Sequence, residues 1–370
     1  MDEAVIARLR ESATRRGWSA IVLLSPENVA YGAGFVVPSQ PLMRWRHAAF
    51  VVPVQGPPQV MVVDMEARTV ADHLPDIRVH VYGEFTGDAM VTLASVLHEL
   101  DTGGTTVGIE LGYLPAIDAA RLRQVAPDVT LESCDDVIAA ARAIKTPAEI
   151  VRLRELSRLT DSSIGEALGS VSAGMTELAL AGRVTDGLFE RGAETFKLLI
   201  VASGERSGYP NVGPSPRRLR AGDLVRLEVF GVVAGYHAGV CRTAIVGSPT
   251  SEQERVWAVI AQCRDMVLGQ IRPGASAAAI YRDFARVFEA EGLPAIDFVG
   301  HGIGVFLHEA PYLGRFGDAT LEAGMVLGIE PLVYAPGQGM QNKDMVLVTE
   351  TGCELLSDVT PTDQLLRIPA

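Results

Sequence analysis

Two histidines in one apolar, glycine-rich run are the residues of this chain best placed to do chemistry: Gly300-His301-Gly302-Ile303-Gly304-Val305-Phe306-Leu307-His308-Glu309-Ala310-Pro311. Only seven histidines occur in the whole sequence. Glycine on either side of His301 lets backbone or ligand approach closely, at a cost in chain entropy. A histidine that merely fills a turn needs neither three glycines nor a second histidine nearby. Glu330, in Gly328-Ile329-Glu330-Pro331, is the next candidate, an acid ending an apolar strand. Buried carboxylates are costly unless they are paired, ligate a metal or exchange protons. Glu228 is the third, alone within Leu227-Glu228-Val229-Phe230-Gly231. Strand alternation leaves a solvated face open to either acid. Imidazole with carboxylate is a set that moves protons near neutral pH and also holds zinc-like ions.

These residues need a scaffold, and the sequence from Leu198 onward reads as strand-rich. Val225–Val233 and Tyr236–Val246 flank Ala234-Gly235 as a β-hairpin, helices cover Glu252–Ile271 and Ser276–Glu291, and strands return near Val326–Ile329 and Met345–Thr349. Ahead of this region, Thr146-Pro147-Ala148-Glu149 marks a helix start with an N-cap, a first-position proline and a capping box. A long helix runs from there to about Gly169, and a second begins after Gly174 with Thr176 as its cap. The first third alternates differently. A helix over Met1–Gly17 precedes strands at Ala20–Leu24, Ala49–Pro53 and Val60–Val63, then a helix from Asp88 to Leu100, a strand at Thr106–Glu110 and a helix over Pro115–Val125. Such alternation makes an α/β domain. The expected division is residues 1–144 and 145–370.

Composition narrows the function classes. A chain of 370 residues suggests two domains at roughly 100–200 residues each. With 48% hydrophobic and 21% charged residues it is an ordinary globular sequence. A net charge of −13 argues against a nucleic-acid partner, which needs clustered Lys and Arg. Cys134, Cys241, Cys263 and Cys353 show no CxxC spacing and are expected to be reduced, buried thiols. No secretory signal opens the sequence and no membrane-spanning run occurs, so the expected location is the cytoplasm, with no membrane partner.

Taken together and in this order, the segments resemble the creatinase, prolidase and aminopeptidase P family over essentially the whole chain. The resemblance is carried by Ile144-Lys145-Thr146-Pro147-Ala148-Glu149, by Gly235, Tyr236, Arg242 and Thr243 of the hairpin, by the Gly-His-Gly-Ile-Gly…His-Glu-Ala-Pro run and by Ile329-Glu330-Pro331. It implies a pita-bread catalytic domain, an α+β architecture, preceded by a creatinase-type N-terminal α/β domain, and a homodimer.

The resemblance also implies a centre in which two Asp, one His and two Glu hold two divalent ions, and here the set is depleted. His301 and Glu330 match the family His and first Glu. The first Asp falls at Glu228, counting from Gly235-Tyr236, or at Val229, counting from Phe230-Gly231. The second falls at Gly239, which has no ligand atom, and the last Glu falls at Lys343, in Gln341-Asn342-Lys343-Asp344. An ammonium there repels a metal, and can instead polarise a substrate carbonyl. Asn211 stands where the family carries a substrate-side histidine, and it cannot shuttle a proton.

The expectation is therefore a creatinase-like hydrolase without metal or other cofactor, acting on a C–N bond of a small carboxylate-bearing amide, amidine or dipeptide-like substrate. Glu330 activates water, His301 or His308 donates the proton, and Glu228 completes the catalytic set. Asn211, His237, Lys343, Arg44 and Arg46 are the candidate substrate-binding residues. The two arginines lie in Met43-Arg44-Trp45-Arg46-His47, which the resemblance brings to the partner subunit's active site; a solvated loop is the other reading. Two alternatives stay open: a metal-dependent Xaa-Pro dipeptidase or aminopeptidase with a remodelled site, one zinc or manganese ion being held by Glu228, His237, His301 and Glu330; and a non-catalytic binding protein on the same fold.

Overall fold

In the computed structural model, which describes residues 1–335 and 338–370, the chain divides into two units, Met1–Arg142 and Ala143–Ala370. The first unit opens with α1 (Glu3–Arg16), β1 (Ala20–Leu23), α2 (Pro26–Ala33), β2 (Ala49–Pro53) and β3 (Gln59–Val63). There follow α3 (Ala67–His73), β4 (Arg78–Tyr82), α4 (Ala89–Glu99), β5 (Thr106–Ile109), α5 (Ala116–Val125) and β6 (Thr130–Ser133), and α6 (Asp135–Ala143) leads into the second unit. The six strands form one mixed sheet in the order β4-β3-β2-β1-β5-β6. Its inner strands β1, β2 and β3 are buried along their whole length, which is why Ala20–Leu23 and Val60–Val63 read as continuous apolar runs instead of alternating ones.

The second unit begins with α7 (Pro147–Gly169) and α8 (Glu177–Glu190). Thr146 and Glu149 form the reciprocal capping box of α7, and Thr176 caps α8. Next come β7 (Thr195–Ser203), β8 (Leu224–Val233), β9 (Tyr236–Val246), α9 (Ser251–Gln270) and α10 (Ala277–Ala290). The remaining strands are β10 (Phe298–Gly302), β11 (Glu309–Gly314), β12 (Val326–Ile329), β13 (Leu332–Ala335), β14 (Gln338–Gln341), β15 (Asp344–Val348), β16 (Cys353–Leu355) and β17 (Leu366–Ile368). One sheet runs β17-β9-β8-β7, a second β11-β10-β12-β15-β16, and β13 pairs with β14.

The hairpin turn between β8 and β9 places Ala234 at φ 50° and Gly235 at φ 82°. Both central residues of a type I′ turn need positive φ, and the backbone amide of Ala234 donates to Glu194 Oε2 at 2.8 Å to hold the strained position. The main core of this unit packs Trp257, Ile260, Phe284 and Phe288 of α9 and α10 against Val299, Leu327, Ile329 and Val346. Each such side chain contributes about 1.5–3 kcal/mol by leaving water. All four cysteines are free thiols, but Cys353 is half-buried, where a buried thiol was expected. Among the described residues no helix is long and apolar enough to cross a membrane.

Candidate active site

The site lies in the second unit, where the two sheets and the β13–β14 pair bring their polar residues together. Arg226, Glu228 and Phe230 alternate along β8 and therefore share one face. On β9 they stand opposite Thr243, Cys241 and Gly239. Lys343, just ahead of β15, forms an isolated bridge with Cys241: its amide donates to Cys241 O at 3.1 Å, and Cys241 N donates back at 3.2 Å. From the other sheet, His301 on β10 pairs with Gly328 on β12, and Glu330 follows that strand, its amide bonded to Val299 O at 2.8 Å.

Four charges occupy this interior. Lys343 Nζ lies 3.4 Å from Glu228 Oε1 and 3.3 Å from Glu330 Oε2, with 1% of its side chain exposed. Arg226, also fully buried, sits 3.8 Å from Glu228 Oε2. Gln341 links the two halves, accepting from Arg226 at 2.8 Å and donating to Glu330 Oε2 at 2.9 Å. Burial pulls the Lys343 pKa down, but the Glu330 and Glu228 carboxylates outweigh it and hold the amine as an ammonium. Burial likewise pushes Glu330 up, and Lys343 and His301 outweigh it, so Glu330 stays ionised well below the ordinary carboxylate range. Two carboxylates thus face two protein cations.

Behind Lys343, a second buried ionic group fixes the strand. Arg242 contacts Asp161 at 3.1 Å and Asp344 at 2.9 Å, and donates to Lys343 O at 2.8 Å and Asn342 Oδ1 at 3.0 Å. Arg264 takes the other oxygen of Asp344 at 2.6 Å. The Asp344 carboxyl, which burial alone would raise, is held low by these two guanidinium groups.

The histidine side is different. The ring of His301 stacks on that of His308, centroids 3.6 Å apart and planes 10° from parallel. His301 Nδ1 lies 2.8 Å from Gly302 O, so a proton on Nδ1 donates there and leaves Nε2 as a bare acceptor. That acceptor stands 3.1 Å from Glu330 Oε1. Both atoms are fully buried, and neither has a hydrogen-bond partner among the described residues. Two acceptors this close repel unless a cation or a proton sits between them. Burial, seconded by the neighbouring His301 and Lys343, lowers the His308 pKa to about 4. His308 is exposed on its other side, so water moderates the shift, but the direction keeps it neutral at pH 7.

The sequence-based candidates divide cleanly. Glu228, Glu330, His301, His308 and Lys343 converge, and Glu228 is buried instead of facing solvent, with 4% exposure. His237 does not join them: its Nδ1 lies 3.2 Å from Gly304 O and its Nε2 is buried with no partner among the described residues. The ligand set expected for one ion, Glu228, His237, His301 and Glu330, is therefore replaced. His301, His308 and Glu330 each offer an atom within 4.8 Å of the others, while both oxygens of Glu228 face cations. Asn211 is exposed on the segment between β7 and β8. In the first unit, Arg46 is spent on Glu84, at 2.8 and 2.9 Å, so its fork is not free for a substrate carboxylate. Arg44 is exposed and lines a cavity of about 790 Å³ in that unit with Trp45, His47 and Arg121.

Sequence reasoning missed Arg226, Phe230 and Gln341. The signal for Arg226 was present: a lone arginine in an apolar strand, two residues before Glu228, is buried only if it is paired with an acid. For Phe230 no signal existed, because its role depends on the register with Gly239.

The residues present answer the question of metal. A two-ion centre does not fit: a Cβ built on Gly239 would fall against the Phe230 ring, and Lys343 fills the space between the carboxylates. A single ion suits the donor types present: His301, His308 and Glu330 each offer an atom within 4.8 Å of the others, His301 Nε2 and Glu330 Oε1 among them are orphaned, and two imidazoles with a carboxylate suit zinc, manganese or cobalt.

Comparison with known proteins gives the same family. The model of metallopeptidase family M24 matches residues 151–350, and that of the creatinase/prolidase N-terminal domain matches residues 6–144. The Xaa-Pro dipeptidase of Pyrococcus horikoshii is 30% identical over 69% of this chain and 74% of its own length. A probable dipeptidase of Mycobacterium tuberculosis, PepE, is 28% identical over 95% and 94%. Among solved structures, the recombinant prolidase of Thermococcus sibiricus covers all of both chains at a TM-score of 0.88 and 22% identity, and an Xaa-Pro dipeptidase of Bacillus anthracis covers 99% of both at 0.85 and 23%. These likenesses show the fold, the pita-bread fold with its creatinase-type N-terminal domain.

Proposed function

The chain belongs to metallopeptidase family M24 and is a hydrolase of that family, and from this premise we propose that it cleaves the C–N bond of a small Xaa-Pro-like dipeptide through a remodelled, one-ion centre. The observation that carries the reading is the pair of bare acceptors, His301 Nε2 and Glu330 Oε1, 3.1 Å apart with His308 beside them. The relatives' dipeptidase names favour the same reading over the expected metal-free one. When bound, a divalent ion there supplies Lewis-acid polarisation of the scissile carbonyl.

The chain's own residues do the rest. Glu330, ionised and pinned by Gln341 and Lys343, stabilises positive charge; so acidic a carboxylate is a weak general base, whose ideal pKa lies near the working pH. His308, kept neutral and open on one side, sets a second imidazole at the site's edge. Lys343 and Arg226 flank Glu228 in the buried interior. The homodimer implied by the family resemblance and the cytoplasmic location expected from the sequence belong to this proposal, and light scattering tests the first.

A second reading keeps hydrolysis without metal, favoured by one observation: Lys343 and Arg226 already neutralise both carboxylates. Purified protein loaded with manganese, cobalt or zinc and assayed on Xaa-Pro dipeptides separates the two. Turnover that rises with one ion per chain and vanishes with chelator is expected. Undiminished turnover in metal-free protein overturns the one-ion reading in favour of the second.

A further inference from the structure

We infer that Lys343 and Arg226 are resident cations that permanently fill the half of the site in which the family pattern implies a second ion, so that the centre accepts at most one divalent ion. The inference rests on the one-ion reading for where that ion sits, and on separate observations for why no second one enters.

Both carboxylate oxygens of Glu228 face a resident cation. Oε1 of Glu228 faces Lys343 at 3.4 Å and Oε2 faces Arg226 at 3.8 Å. Oε2 of Glu330 is shared by Lys343 at 3.3 Å and Gln341 at 2.9 Å, which leaves only Oε1, turned towards His301. Gly239 offers no ligand, and the ring of Phe230 fills the space a side chain there would need. Lys343 Nζ lies 4.6 Å from the centroid of that same ring, so the aromatic face that displaced a ligand now supports the ammonium.

Both cations are anchored where they lie. Arg226 is clamped by Gln341 at 2.8 Å, by Pro210 O at 3.0 Å and by the carbonyl of Tyr209, and its guanidinium carbon lies 5.2 Å from the Tyr334 ring centroid. Lys343 is held at its backbone by the bridge to Cys241 and by Arg242 from behind. The two fixed charges meet the two remaining carboxylates one for one, so a dication added on this side finds no unneutralised ligand and an ammonium in its place.

The test counts ions. Full-length protein is incubated with manganese(II), desalted and measured by mass spectrometry, beside a Phe230→Ala/Gly239→Asp/Lys343→Glu variant that rebuilds the missing ligands. The variant is expected to hold one ion more than the unaltered chain. Two ions in the unaltered chain, or no gain in a variant whose circular dichroism is native, overturn the inference. If the unaltered chain holds none and the variant gains one, the one-ion reading fails and the inference stands. Should the triple variant not fold, Lys343→Met alone decides: manganese affinity rises at least tenfold by calorimetry if the ammonium excludes ions, and unchanged affinity overturns the inference.

Discussion

Glu110 and Glu330 are buried to nearly the same extent, 3% and 4% exposed, yet their surroundings push them in opposite directions. Glu110, in the first unit, accepts from the amides of Leu24 and Ser25, from the Ser25 hydroxyl and from Asn28, all neutral donors. Burial dominates there and raises its pKa, the four donors only moderating the rise. Glu330 meets an ammonium and imidazoles, which outweigh burial and lower it. Acid therefore acts in opposite senses. Glu110 contributes stability that is full below the ordinary carboxylate range and lost as pH rises through its raised folded value. Glu330 contributes stability present above that range and lost as pH falls through its lowered one. A buried acid ringed by neutral donors ties chain segments together. One ringed by cations keeps a charge available for chemistry.

The sharpest way to break the comparison is Glu330→Gln. The fold is kept by the matched shape, but the charge facing His301 and Lys343 is lost, and turnover is expected to fall by about 10²–10⁴-fold. A variant with native circular dichroism and undiminished kcat removes Glu330 from the mechanism. Next in size is Arg242→Met, which strands Asp161 and Asp344 in the interior. Breaking a buried pair costs about 3–5 kcal/mol, to be read as a shift in the urea midpoint. Because Arg242 also holds Lys343 O, kcat of the folded fraction drops with it, and a stability loss without that drop would confine Arg242 to structure.

What could be read ahead of the structure follows the same division between local and non-local causes. The Thr146–Glu149 capping box, the Thr176 cap and the Ala234-Gly235 turn are set by neighbours in sequence, and all are present. His301, Glu330 and Lys343 stood out because of residue types that an apolar strand must justify. The glycines around His301 were read as room for backbone or ligand, and the structure gives them to backbone: a Cβ on Gly302 would meet the carbonyls of Ala310 and Glu309 on β11. The partners of Glu228 were illegible, since they depend on which residue of β9 faces which of β8 and on a bridge from Lys343 a hundred residues away. His237 was misplaced for the same reason: sharing a strand face with Gly239 does not fix where a side chain ends.

His237 sharpens the comparison from the basic side, as a buried imidazole with neither cation nor acid bonded to Nε2. Burial, seconded by Lys197, lowers its pKa to about 4. The folded state favours the neutral ring, whereas the unfolded chain takes a proton near pH 6.5. Its contribution is therefore full above pH 6.5 and lost as pH falls towards 4, by roughly 3 kcal/mol. Urea unfolding at pH 7, 5.5 and 4 should show this slope in the unaltered chain and a shallower one in His237→Asn. Equal slopes would mean that His237 titrates normally.

The smallest expected effect is at Glu110. In Glu110→Gln one carboxylate oxygen becomes an NH₂ that faces donors whichever way the amide turns. On the Oε2 side these are two backbone amides, which cannot reverse. On the Oε1 side the Ser25 hydroxyl can rotate to accept, while Asn28 must swing away. The second arrangement is the cheaper, and the loss should be about 1–3 kcal/mol, the cost of buried donors left unmatched. Since those donors only join β1, α2 and the end of β5, kcat/KM per folded molecule should not change. A fall in kcat/KM comparable to that of Glu330→Gln would show that the two glutamates are not divided into structure and chemistry by the charges around them.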